Sequence, residues 1–352
     1  MLYLLLSLLF LCCFFALYFS KSDFGKKPSR RHKAILKKSP HYKNGSFFNL
    51  EDTPALAPGK NFISVLFTFL FRKSKNVKPP HPVNSIKTNL HSLQATENCI
   101  IWFGHSSYLI QVNGLKILVD PVFSGNASPV PGTNKSFKGS DIYTADDIPQ
   151  VDYLIITHDH WDHMDYQTVT ALKPKINNII TPFGVGSHLI RWGFEPEIIK
   201  ETDWGDTVKL DGDMNITAVP ARHFSGRGLK RNGTLWSAFV LMSTNYRIFI
   251  GGDSGYGNHF KQIGREYGPF NMAILECGQY NEAWPYIHMM PEETVKAATD
   301  LQAAALLPVH WGKFALSLHD WDEPVKRVKA ASEAKGMPLI IIPQIGKKII
   351  IA

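Results

Sequence analysis

A hydrophobic run, Tyr153 to Ile156, ends at Thr157 and is followed at once by His158-Asp159-His160-Trp161-Asp162-His163. Three imidazoles and a carboxylate thus fall in the H-x-H-x-D-H pattern within six residues. In an extended loop, residues two apart project to one side, so His158, His160 and Asp162 converge on one volume. His163 joins them from the start of the following helix. Neutral imidazole and carboxylate are donors that a borderline cation such as zinc prefers. A lone histidine is commonly a packed core residue, but four donors closing a hydrophobic strand have no such explanation.

Further donors are expected at other strand ends, and three runs supply them. Ala218-Val-Pro-Ala-Arg-His223, Ile248-Phe-Ile-Gly-Gly-Asp253 and Leu306-Leu-Pro-Val-His310 each deliver one His or Asp after an apolar stretch. The set then holds five histidines and two aspartates, enough for two metals sharing a carboxylate. Cysteine offers no competing site. Of the four cysteines, Cys12 and Cys13 lie in the first apolar run, and Cys99 and Cys277 form neither a CxxC pattern nor a disulfide framework.

The 352 residues can bury a sizeable core, with 44% hydrophobic and 19% charged side chains. Net charge is +8, and all of it sits in residues 21–43, where nine basic residues face Asp23 alone. The remainder sums to zero, which disfavours nucleic acid as a partner. Residues 1–20 are almost wholly apolar and read as a single-pass transmembrane anchor, with the following basic cluster placing the rest of the chain on the cytoplasmic side. Residues 21–60, broken by Pro40, Pro54 and Pro58, suit a linker. Asn61 to Phe71, flanked by Arg72, Lys73, Lys75 and Lys78, reads equally as an interfacial segment or a buried helix.

From residue 98 the pattern becomes a series of short β-rich runs. They are Ile100–Phe103, Tyr108–Val112, Lys116–Val119, Tyr153–Ile156, Asn178–Thr181, Asn215–Val219, Ser237–Met242, Arg247–Ile250, Met272–Leu275, Ala305–Pro308, Leu339–Ile342 and Lys347–Ile351. Helices fit Tyr166–Leu172, Pro291–Gln302 and Glu323–Lys335, the last stopped by Gly336 and Pro338. Strands and helices alternating in both halves predict an α/β chain in which two packed mixed sheets carry helices outside. The expected organisation is an anchor over 1–20, a basic extension over 21–97 and a catalytic domain over 98–352.

The order H-x-H-x-D-H, His, Asp, His resembles the metallo-β-lactamase fold of binuclear metallohydrolases, an αββα sandwich. That resemblance implies two zinc ions per chain, one held by His158, His160 and His223, the other by Asp162, His163 and His310, with Asp253 between them. An Asp stands where the antibiotic-hydrolysing branch uses Cys, which argues against that activity. Trp102-Phe-Gly-His105-Ser-Ser, Val119-Asp120-Pro121, Thr234-Leu-Trp236-Ser, Gly252-Asp253-Ser-Gly-Tyr256, Ile263 to Phe270, His288-Met-Met-Pro-Glu-Glu293 and His310-Trp-Gly-Lys-Phe-Ala315 occur in that order. Together they are similar to the N-acyl-phosphatidylethanolamine-hydrolysing phospholipase D family and its bacterial relatives.

The resemblance implies a zinc-dependent phosphodiesterase acting on membrane phospholipid, in which a hydroxide between the metals attacks phosphorus. Asp253 would orient it, and His288 would hold the phosphate or protonate the leaving alkoxide. Trp161 and His288 map onto substrate contacts; the family usually has Tyr at the former. Asp120 and His105 are candidates to orient the ligands through hydrogen bonds. Two alternatives keep or discard the metals: a lactonase or soluble phosphodiesterase, and a non-enzymatic membrane adaptor. His32, His41, His81, His91, His188, His259 and His319 lack ligand-type neighbours in sequence and read as ordinary residues.

Overall fold

The computed structural model describes residues 2–71, 73–130, 132–335 and 339–351. Arg72, Gly336 and Pro338, cited above as a helix flank and a helix stop, lie outside them. The chain opens with the apolar helix Leu2–Phe19 (α1), followed by Arg30–Leu36 (α2), a hairpin of Tyr42–Lys43 (β1) and Ser46–Phe47 (β2), and the helix Phe62–Phe71 (α3). Among the described residues no helix is long and apolar enough to cross a membrane, so the single-pass anchor and the topology built on it are corrected. The end of α1 is also tied to the body: Tyr18 donates to the Pro129 carbonyl at 2.8 Å, and Arg191 to that of Ser20 at 2.7 Å.

The first large sheet is built from Cys99–Trp102 (β3), Tyr108–Val112 (β4), Leu115–Val119 (β5), Val151–Ile155 (β6), Ile176–Pro182 (β7) and Ile199–Thr202 (β8). Between them lie Tyr166–Leu172 (α4) and Gly186–Arg191 (α5). The second sheet takes Thr207–Lys209 (β9), Asn215–Val219 (β10), Ala238–Met242 (β11), Arg247–Ile250 (β12), Phe270–Glu276 (β13) and Ala303–Val309 (β14), with His259–Tyr267 (α6) and Pro291–Asp300 (α7) as crossovers. After Glu323–Lys335 (α8), Leu339–Ile340 (β15) completes the second sheet, and Lys348–Ile350 (β16) returns to the edge of the first beside β3. Each sheet has seven strands. In each, antiparallel pairings give way to parallel ones, at β5/β6 and at β12/β13.

Side-chain alternation explains the layering. Ile100 and Trp102 of β3, with Ile110, Ile117, Val119 and Ile155, face the second sheet and meet Ile216, Phe239, Ile248 and Ile274 in one core. Their neighbours Cys99, Ile101, Leu109, Leu118 and Leu154 face the other way and bury Val169 and Leu172 of α4 and Leu189 of α5. Strands covered on both faces read as near-continuous apolar runs, which is what parallel strands inside an α/β layer require. α7 starts at Pro291, whose missing N–H costs nothing there, and Glu293 accepts from the Met290 N–H at 2.9 Å. It ends at Asp300, two residues short of the expected Gln302.

Residues 22–53 are pinned to the body throughout, unlike a free linker. Trp192 Nε1 donates to Ser22 O at 2.8 Å, the Lys26 N–H to His188 Nδ1 at 2.9 Å, and His32 bonds both Ser187 and Glu201. α3 has no buried residue.

Candidate metal centre

β3, β5, β6, β10, β12, β13 and β14 release their C-terminal ends on the same rim, because the two sheets run these strands in common directions. Each end delivers a functional side chain: His105, Asp120, the loop His158 to His163, His223, Asp253, Glu276 and His310. Three of these sit in left-handed backbone, His105 at φ 53°, Asp120 at φ 42° and His310 at φ 67°. Such residues cost of order 1–3 kcal/mol each and persist where surrounding structure over-determines them.

Donor atoms gather in three groups, each within 4.8 Å: His158, His160, His223 and Asp253; His105, Asp162, His163 and His310; and Asp253, His288 and His310. All seven expected ligands are therefore brought together, with Asp253 and His310 each belonging to two groups. Within the first, His158 Nε2 and His223 Nε2 lie 2.9 and 3.2 Å from His160 Nδ1. His223 gives its Nδ1–H to the Ile287 carbonyl at 2.8 Å, which leaves Nε2 as its free donor atom. Within the second, His163 Nδ1 bonds Asp120 Oδ2 at 2.7 Å, and Nε2 faces Asp253 Oδ2 at 3.1 Å. Asp120 is itself fixed by the Thr157 N–H at 2.8 Å and hydroxyl at 2.6 Å. His105 Nε2 holds Asp162 Oδ2 at 2.9 Å, and Ser106 Oγ holds His310 Nδ1 at 2.8 Å.

Burial sets the charge states. It drives His158, His223 and His310 well below the ordinary imidazole range, aided by the other histidines, and His105 and His160 to about 4 against the pull of Asp162. His163 overcomes the same burial because Asp253, Asp162 and Asp120 surround it, and it is held well above its usual value. Burial would likewise raise Asp162, but His163 and His105 hold it far below the carboxylate range. At Asp253 burial prevails over His163, to about 6.

These residues fit a cation. His163 Nε2, Asp253 Oδ1 and His105 Nδ1 are buried without a hydrogen bond of good geometry, although His163 Nε2 lies 3.1 Å from Asp253 Oδ2 and His310 Nδ1 lies 3.1 Å from Asp253 Oδ1. Leaving such atoms unanswered is costly, and a divalent ion between His163 and Asp253 answers the first two.

His288 stands at the edge of the cluster, its ring centroid 5.1 Å from that of His223 and 5.2 Å from that of His310. Its Nδ1 lies 3.3 Å from Glu276 Oε2, while Glu276 Oε1 accepts from the Met289 N–H at 2.9 Å. Burial pushes the Glu276 carboxyl well above its usual value, against the backbone N–H groups of Met289 and Ser254. Sequence reasoning missed Glu276 because it closes a wholly buried strand, where a lone carboxylate carries no spacing signal. It missed Asn49 as well, which clamps the backbone of His223 from 174 positions away. Trp161 lies in the ligand loop, but its ring meets Phe24 edge-on at 5.1 Å and the Arg227 guanidinium at 4.0 Å.

Comparison with known proteins agrees with this geometry. The family described as Beta-lactamase superfamily domain matches residues 116–311. An uncharacterized protein of Mycobacterium tuberculosis is 38% identical over 323 residues, covering 90% of this chain and 86% of that one. N-acyl-phosphatidylethanolamine-hydrolyzing phospholipase D 1 of Caenorhabditis elegans is 27% identical over 320 residues, covering 83% and 88%. A solved metallo hydrolase from the archaeon Ignicoccus hospitalis shares the fold at a TM-score of 0.56 and 21% identity, covering 72% of this chain and 98% of that one. With the ligand order, the strand-end placement and the matched family in accord, the chain belongs to the metallo-β-lactamase superfamily and is a metal-dependent hydrolase.

Proposed function

We propose that the chain is a zinc-dependent phosphodiesterase of the phospholipase D type, which hydrolyses N-acylphosphatidylethanolamine-type phospholipids to a phosphatidic acid and an amidic alcohol. The observation that carries this reading is His288, a further donor side chain that groups with Asp253 and His310 and is braced by Glu276. Whole-length similarity to the C. elegans phospholipase supports it. Two ions per chain are proposed, held by His158, His160 and His223 and by Asp162, His163 and His310, with Asp253 shared.

Bound there, zinc supplies Lewis-acid polarisation of a phosphoryl oxygen and acidifies water. The chain's own residues do the rest. Asp253 aligns the attacking oxygen. With Nδ1 engaged by Glu276, His288 offers Nε2 to hold a phosphate oxygen or pass a proton to the departing alkoxide. Asp120 and His105 fix His163 and Asp162 through their hydrogen bonds. Trp161, in the ligand loop, is read as a substrate contact. Exposed Phe10 and Leu17 of α1, and Phe62, Ile63 and Phe71 of α3, are the apolar surface through which we read contact with a bilayer.

The test is the full chain loaded with zinc and assayed against N-acylphosphatidylethanolamine vesicles, cyclic nucleotides and lactones, beside His160→Ala. Release of phosphatidic acid that disappears in the variant is expected. Turnover of lactones or cyclic nucleotides alone would overturn the lipid reading.

A further inference from the structure

Arg227 is 4% exposed and spends four of its five N–H donors on backbone carbonyls. Nη1 reaches Asp159 O at 2.9 Å and Met164 O at 2.7 Å. Those two carbonyls flank His160, Trp161, Asp162 and His163, so a single nitrogen spans the ligand loop. Nε and Nη2 both reach Asp23 O, at 2.9 and 2.7 Å, in the arm that precedes α2. The guanidinium lies 4.0 Å from the ring of Trp161 and 5.3 Å from that of Trp192, which supplies part of the charge stabilisation lost on leaving water. Asp159 is held from the same side by the Gly226 N–H at 2.7 Å and the Thr234 hydroxyl at 2.9 Å.

The arm makes a second such clamp. Asn49 Nδ2 donates to His223 O at 2.8 Å, while its Oδ1 accepts from the His223 N–H and from Trp236 Nε1, each at 3.1 Å. An amide bonded to both the N–H and C=O of one residue fixes that residue's backbone, and with it the direction of the imidazole. Neither Arg227 nor Asn49 belongs to a ligand group.

We infer that Arg227 and Asn49 are positioning residues for the metal ligands, and that the arm of residues 22–53 is thereby a structural part of the metal centre. This rests on the metal-ligand reading and is independent of the substrate. A Lys ammonium has three N–H donors on one nitrogen, so it cannot reproduce the four bonds that Arg227 makes from three nitrogens of a planar fork, and charge alone does not fill the role.

The test is a cobalt(II) titration of the full chain followed by its visible absorption, for the parent, Arg227→Lys, Asn49→Ala and, as a folding control, Leu301→Ala in the remote core. Outer-shell changes cost about 10- to 100-fold in metal affinity. That loss, with a shifted ligand-field spectrum, is expected for Arg227→Lys and Asn49→Ala, while Leu301→Ala melts earlier but binds cobalt as the parent does. Parent-like affinity and spectrum in either positioning variant would overturn the proposal, as would an equal loss in Leu301→Ala. Should Arg227→Lys not fold, Asn49→Ala alone decides by the same criteria. A parent that binds cobalt and cleaves no phospholipid sinks the substrate reading and leaves this one standing.

Discussion

His163 Nδ1 and Asp120 Oδ2 are 2.7 Å apart, both fully buried, at the ends of neighbouring parallel strands. The bond fixes the ring orientation of His163 and aims its Nε2 at Asp253 Oδ2, 3.1 Å away. Asp120→Asn keeps the shape but offers an amide in place of a charged acceptor. Metal affinity is expected to fall about 10- to 100-fold, measured by zinc competition against a chromogenic chelator; unchanged affinity would separate Asp120 from the centre.

Glu276→Gln tests the brace on His288. The amide oxygen can still accept from Met289, but the Nε2 side no longer accepts from His288 Nδ1. On the proposed reaction kcat is expected to drop about 100-fold with little change in KM, and zinc content should stay at the parent level. Equal loss of bound zinc would reassign Glu276 to holding the metal.

Acid sensitivity has a source beside the centre, at the residue that follows Asp253. Burial, reinforced by Arg222, lowers His259 from 6.5 to about 3, and its Nε2 is 3.1 Å from Ser254 Oγ. The native state therefore stays unprotonated where the unfolded chain takes up a proton. Stability from this group is complete above pH about 6.5 and is lost as pH falls toward about 3. His259→Gln cannot titrate, and its unfolding midpoint in acid should move to lower pH, followed by circular dichroism; an unmoved midpoint would refute the assignment.

Packing between α6 and α7 admits no side chain at Gly264. A Cβ there would fall 2.0 Å from Asp300 O and 2.9 Å from the Leu301 Cα. Gly264→Ala is expected to cost about 1–3 kcal/mol, read from urea denaturation, because one helix must move. A gain in stability from the better helix former would show that the contact is loose.

The strand ends that carry ligands were legible because an apolar run followed at once by a charged or imidazole group is a strong contrast. Tyr108–Val112, Asn215–Val219 and Arg247–Ile250 even match their expected limits. Ile199–Thr202 and Thr207–Lys209 were invisible, since edge strands of sequence IKET and TVK bury little and carry no apolar signal. α5 and α6 escaped for another reason: short helices with Gly, Ser and His inside them look like loops, and tertiary burial of Leu189, Phe260 and Ile263 decides them. The apolar start of the chain reads as a span by hydropathy, yet no described helix is long and apolar enough to cross a membrane. Arg227 and Asn49 act through backbone carbonyls and N–H groups, which no residue spacing encodes.

The centre draws His105 from the front of one sheet and His310 from the far end of the other, so no stretch shorter than residues 105–310 carries every donor. Neither leaf alone holds the set, and a growing chain lacks part of it until its second leaf is nearly all made.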